Sequence, residues 1–125
     1  MSSQTFRDVK AWQIAYALTL EIYAVTKLFP KDEVYGLTSQ MKRAAVSIPS
    51  NIAEGFGRRG LGEKDQFNAI AHGSLTELEN QLLIAQGVGY IDDKRYSEVE
   101  AIIIEAHKTL YGLRKANAKK GVMSG

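Results

Sequence analysis

The sequence predicts an all-α fold, an antiparallel up-down-up-down four-helix bundle, and three observations carry that reading. Apolar residues recur at spacings of three and four in four separate stretches. Short runs holding proline or glycine divide the stretches, and none alternates apolar with polar residues as a half-buried strand does. Short connections favour antiparallel neighbours, hence the bundle. With 125 residues and 45% apolar content, one domain spanning 1–125 closes a single core over about 6–116, between a short flexible N-terminus and a basic C-terminal tail.

The first helix is expected to begin near Asp8, a good N-cap residue, and to end at Phe29-Pro30, where the residue before a proline leaves the helical region. Ala11, Ala15, Leu18, Ile22, Val25 and Phe29 form its seam. Val9, Trp12, Tyr16, Leu20 and Tyr23 form a second apolar stripe on another side, so this helix has two faces to bury. The second helix is expected from Lys31–Glu33, with Val34, Leu37, Met41, Ala45, Ile48 and Ile52 on one face. That period runs straight through Pro49, which lacks a backbone donor and clashes with the carbonyl of Ala45. A helix that keeps its phase there is expected to bend rather than stop, with Ser47 and Ser50 placed to satisfy the freed carbonyls. The competing reading restarts the helix with Pro49 in its first turn.

Gly55, Gly57, Gly60 and Gly62 mark the next loop. Phe67, Ala71, Ser74, Leu75, Leu78, Leu82 and Ala85 then give the stripe of the third helix, widened by Ile70, with Gly73-Ser74 small enough for close approach of a neighbour. Gly87 and Gly89 end it. The fourth opens at Asp92-Asp93 and runs through Tyr96, Val99, Ile103, Ala106, Leu110 and Leu113, with fraying expected beyond Asn117.

Composition removes several function classes. The chain has no cysteine, hence no disulfide, thiolate nucleophile or cysteine zinc site. Residues 1–7 hold no basic-then-apolar signal, and no apolar run reaches the ~20 residues needed to cross a bilayer, so a cytoplasmic protein without membrane contact is expected. The formal net charge is only +2, from 16 basic and 14 acidic residues. The distribution is uneven: five carboxylates fall between Asp92 and Glu105, whereas Lys108, Arg114, Lys115, Lys119 and Lys120 follow without an acid. That polarity suits the helix macrodipole as well as it suits a binding patch.

Gly55-Phe56-Gly57-Arg58-Arg59-Gly60 spells G-x-G-x-x-G, but a helix precedes it where a dinucleotide fingerprint needs a strand. A helix cap and turn explain the glycines. His72 and His107 lie on different helices with no ligand-spaced partner, so no metal site is expected. Ser47, Ser50, Glu54 and His72 have no spacing that selects them as catalytic, and neither an enzyme nor a cofactor is expected. The best phosphate contacts are Arg58 and Arg59, with Lys64 close behind, Lys42 and Arg43 on the preceding helix, and Arg114 and Lys115 at the basic end of the fourth.

The run LTSQMKRAAVSIPSNIAEG at 37–55, continued by Gly57-Arg58, resembles the 23S ribosomal RNA intervening-sequence protein family, also called S23 or four-helix-bundle proteins. Phe29-Pro30, the stretch AHGSLTELE at 71–79 and Gly89-Tyr90-Ile91 match it too, so the resemblance covers roughly Phe6 to Arg114. It implies a four-helix bundle that assembles as a ring, a pentamer in relatives, with no established enzymatic activity. A cousin family, the accessory variability determinant of diversity-generating retroelements, is a basic pentamer that binds nucleic acid and a reverse transcriptase.

The expectation is therefore a non-enzymatic homo-oligomer that binds RNA or DNA weakly through Lys42, Arg43, Arg58, Arg59, Lys64, Arg114 and Lys115. Its oligomer interface is expected at Val9, Trp12, Tyr16, Leu20 and Tyr23. The alternative is a structural or adaptor oligomer whose partner is another protein, a reverse transcriptase among the candidates.

Overall fold

The computed structural model describes residues 4–124 and contains four α-helices: α1 (Lys10–Thr26), α2 (Leu37–Phe56), α3 (Leu61–Gly87) and α4 (Asp93–Ser124). Short 3-10 turns at Phe6–Asp8 and Lys31–Glu33 precede α1 and α2, and no strand occurs among the described residues. α1 packs on α2 and α4, and α3 packs on the same two, while the diagonal pairs α1/α3 and α2/α4 stay apart. Cross-helix pairs run in opposite order. Thr19 and Tyr23 of α1 meet Ala45 and Lys42 of α2, Ser47 and Gly55 of α2 meet Ser74 and Phe67 of α3, and Asp65 and Glu79 of α3 meet Arg114 and His107 of α4. Successive helices are thus antiparallel.

The predicted seams are the core. Ala11, Ala15, Leu18, Ile22, Val25 and Phe29 are buried, as are Met41, Ala45, Ile48 and Ile52, and Ala71, Leu75, Leu78, Leu82 and Ala85. Val99, Ile103, Ala106 and Leu110 complete it from α4. Two residues assigned to these faces turn outward instead, Val34 and Ile70, each 52% exposed. Val34 lies ahead of α2 altogether, so its helical phase had no helix to act in.

Helix ends differ from expectation where a local cap won. Asp8 does not cap α1; with Thr5 it forms a capping box around the first 3-10 turn, accepting the Thr5 amide at 2.9 Å, and Val9 stands at the α1 N-cap with no side-chain cap. α1 ends at Thr26, ahead of Phe29-Pro30. Pro30 opens the second 3-10 turn, and α2 begins only at Leu37, whose amide donates to Glu33 Oε1 at 3.1 Å. The same carboxylate accepts the Tyr90 hydroxyl at 2.7 Å, tying this connection to the far end of α3. There Gly89, at φ 85, lets the Tyr90 amide reach Ala85 O at 2.9 Å, the closing bond of a left-handed helix cap. Asp92 caps α4 by accepting the Arg95 amide at 2.8 Å. α4 does not stop near Asn117 but runs on to Ser124. The expected flexible N-terminus falls partly on residues 1–3, outside the described residues, as does residue 125 of the tail.

α2 is continuous through Pro49, which is buried. The carbonyl it leaves free, that of Ala45, accepts not from a serine but from the Thr19 hydroxyl of α1, at 3.0 Å. Ser47 instead bonds Ser74 Oγ at 2.8 Å, and Ser50 is exposed with no hydrogen bond among the described residues. The close approach of α2 and α3 falls at Gly55, where a Cβ would stand 3.2 Å from Lys64 O and from Phe67 Cβ, whereas one on the exposed Gly73 would meet nothing within 4 Å.

Candidate nucleic-acid interface

The outer face of α2 carries Arg43, Ser50 and Glu54 to solvent and leads into the α2–α3 turn. Its flank toward α3 is closed by Asn51, whose Nδ2 donates to Ser47 O at 2.8 Å and lies 3.0 Å from Ser47 Oγ. Phe6, Ser50, Glu54 and Arg58 line an open groove of about 440 Å³ along that face.

The seven predicted cations fall into two groups. Arg43, Arg59 and Lys115 are exposed and hold no hydrogen bond or ion pair among the described residues, so their charges face water. The other four are engaged. Lys64 donates to Phe56 O at 2.9 Å and Gly55 O at 3.3 Å, capping the last carbonyls of α2 as a basic side chain does at a helix C-terminus. Arg58 pairs with Glu54 at 3.0 Å and lies 4.8 Å from the Phe67 ring, though both members of that ion pair remain exposed. Lys42 stands 4.9 Å over the Tyr23 ring. Arg114 is the most constrained: it grips both Asp65 oxygens, at 2.8 and 3.2 Å, and its Nη1 lies 3.3 Å from His72 Nδ1. Arg43, Arg58 and Arg59 thus offer exposed guanidinium groups on α2 and the turn that follows it, whereas Arg114 is spent within the α3/α4 seam.

A polar ladder along the α3/α4 seam escaped sequence reasoning. Asp65, Arg114, His72, His107 and Glu79 follow one another, with the two imidazole rings 5.4 Å apart and His107 Nε2 3.1 Å from Glu79. Hydrogen bonding to Arg114 holds the Asp65 carboxyl below the usual carboxylate range. Burial, then the neighbouring His107 and Arg114, pushes His72 below its ordinary value. A signal was present in the spacing: Asp65, His72 and Glu79 recur every seven residues on α3, as His107 and Arg114 do on α4, which places each set on one helix edge. Among the described residues no cluster of three or more histidine and carboxylate side chains is arranged to hold a metal ion, and no helix is long and apolar enough to cross a membrane.

The second stripe of α1 is only partly covered. Val9 and Trp12 pack against the core, Trp12 stacking on Tyr16 with ring centres 5.1 Å apart and meeting the Phe6 edge at 5.2 Å. Tyr16, Leu20 and Tyr23 stay 48%, 53% and 40% exposed.

The family of 23S rRNA-intervening sequence proteins matches residues 7–112, a span that takes in all of the α2 face and the whole core. The chain belongs to this family. Its fold is similar to that of a protein of unknown function from the S23 ribosomal protein family of Bacteroides thetaiotaomicron, with a TM-score of 0.78 at 20% identity over 84% of this chain and 98% of that one. No curated protein matches the chain. The family match accords with the resemblance carried by residues 37–55, and the solved structure with the four-helix fold.

Proposed function

We propose that this member of the 23S rRNA-intervening sequence protein family is a non-enzymatic cytoplasmic protein that self-associates through α1 and, assembled, binds RNA weakly. The observation that carries the reading is the outer α1 face: Tyr16, Leu20 and Tyr23 stand at helical spacing and about half exposed beyond a seam that already fills the core. Large apolar side chains in such a row are what a partner surface covers.

The RNA part rests on Arg43 of α2, on Arg59 next to Arg58 in the following turn, and on Lys115, all three exposed and unpaired among the described residues. Surface-exposed guanidinium forks match phosphate oxygens in pairs. A net charge of only +2 supports modest affinity that falls with salt. Fluorescence anisotropy with a labelled RNA tests this. Binding at low salt should weaken steeply as salt rises, and Arg43→Ala with Arg59→Ala should lower the logarithmic salt slope by about one per lost phosphate contact. Binding that ignores both changes, or no binding at low salt, contradicts the RNA reading.

The internal engagement of Lys64 and Arg114 favours a second reading, an adaptor oligomer whose partner is a protein. Under it, assembly persists and RNA binding is absent.

A further inference from the structure

Between Leu37 and Gly62, across α2 and the turn that follows it, Lys42, Arg43, Arg58 and Arg59 stand against a single acid, Glu54. A carboxylate on a face that meets phosphate is unfavourable, because like charges repel. Its surroundings suit another task. Glu54 borders the open groove of about 440 Å³ on the outer face of α2. Ala53 and Gly57, four residues apart and therefore neighbours on the helix surface, line that groove without bulky side chains. Phe6 adds an aromatic wall, braced by the Trp12 ring at 5.2 Å. Ser50 and Glu54, at the same spacing, supply the polar groups. Arg58 Nη2 donates to Glu54 Oε2 at 3.0 Å, which tempers the repulsion of phosphate. Glu54 Oε1 and the exposed Ser50 hydroxyl have no hydrogen-bond partner among the described residues.

Resting on the RNA reading above, we propose that this groove holds one unpaired guanine of a single-stranded RNA, with Glu54 reading its Watson–Crick edge. Unpaired bases are recognised by stacking on aromatic rings and by hydrogen bonds to that edge, and Phe6 and Glu54 offer the two. Guanine alone presents two adjacent donors there, the ring N1–H and the exocyclic amino group, and a carboxylate accepts both. The O6 acceptor beside them suits the Ser50 hydroxyl. Adenine, cytosine and uracil each set an acceptor next to their donor, which the carboxylate repels. Arg43 lies about two turns before Ser50 on the same outer face, and Arg59 follows Arg58, so phosphates on either side of the base meet exposed cations.

Fluorescence anisotropy at low salt tests the assignment on the full chain, with short labelled uridine strands that carry one central guanosine, inosine, adenosine or cytidine. The guanosine strand should bind about tenfold tighter than the other three, the factor one hydrogen bond to a charged group supplies. Inosine is the sharpest comparison, since it lacks only the amino group. Glu54→Gln should erase the preference and raise affinity for the adenosine strand, because a negative charge has left the face. Glu54 is exposed, so the variant spares the core, and a purely structural role for its ion pair would leave the preference unmoved. Equal affinity of the unaltered protein for the four strands overturns the guanine subsite while the RNA reading stands. Failure of every strand to bind overturns both, and a preference that survives Glu54→Gln overturns the part given to that residue.

Discussion

The Thr19 hydroxyl of α1 lies 3.0 Å from the Ala45 carbonyl of α2, the carbonyl that Pro49 deprives of its helical amide. Its one proton is shared with Ala15 O at 2.8 Å, so Thr19 back-bonds its own helix and the neighbouring one. An interior proline is ordinarily destabilising by about 3 kcal/mol or more, partly through the missing bond. Here another helix supplies the donor. Thr19→Val keeps the shape and removes that donor, and should cost about 1–3 kcal/mol, the penalty of an unsatisfied buried carbonyl. In a Pro49→Ala background, where the replacing alanine brings its own N–H, the same change should cost clearly less. Urea denaturation of the four proteins measures this coupling, and equal costs in both backgrounds would dismiss the link between the two residues.

Two glycines should respond with opposite signs. Gly73 faces open space on α3, so Gly73→Ala should stabilise by about 0.5–1 kcal/mol through helix propensity alone. Gly55→Ala gains the same propensity but drives a methyl to 3.2 Å from Lys64 O and Phe67 Cβ. Overpacking against backbone costs about 1–3 kcal/mol, so the net effect should be destabilising. Thermal melts of the two variants give the comparison directly.

Stability should fall in two stages as pH is lowered. His72 titrates below its ordinary 6.5 in the folded protein, chiefly through burial, and its Nδ1 must stay unprotonated to accept from Arg114. Because the unfolded chain then binds the proton first, stability held above pH 6.5 declines as pH falls through the folded pKa. His72→Gln should flatten this stage. The second stage comes from Glu21, held below its ordinary 4.5 by hydrogen bonding to Arg95, and from Asp65, held below 3.8 by hydrogen bonding to Arg114. Depressed carboxylates contribute stability above their unfolded values and lose it as pH falls through their folded ones. Melting temperature followed against pH in the unaltered protein and in His72→Gln separates the two.

The core was legible in the sequence because burial along a helix repeats at 3.6 residues whatever lies opposite, and Leu18, Ile48, Leu78 and Ile103 obey that period. What the sequence withheld depends on which residue stands across a gap. Thr19 is an unremarkable threonine until α2 places Ala45 beside it, and Glu33 is a surface acid until Tyr90 reaches it across the fold. Lys64 and Arg114 read as free cations for the same reason; their partners, the Phe56 carbonyl and Asp65, are set by the turn and by the register of α3 on α4. Ile70 misled differently: its place beside Ala71 suggested a wider stripe, yet α3 at that point has only one covered side.

Self-association through α1 is tested most directly by light scattering coupled to size exclusion, at micromolar concentration, on the unaltered protein and on Tyr16→Glu with Leu20→Glu. These two side chains are exposed, so their replacement spares the core, whereas Trp12 is packed against it. The account predicts a mass that is a multiple of 13.8 kDa for the unaltered protein and 13.8 kDa for the variant, with circular dichroism unchanged. A mass of 13.8 kDa for the unaltered protein, or a variant that stays assembled, would contradict it.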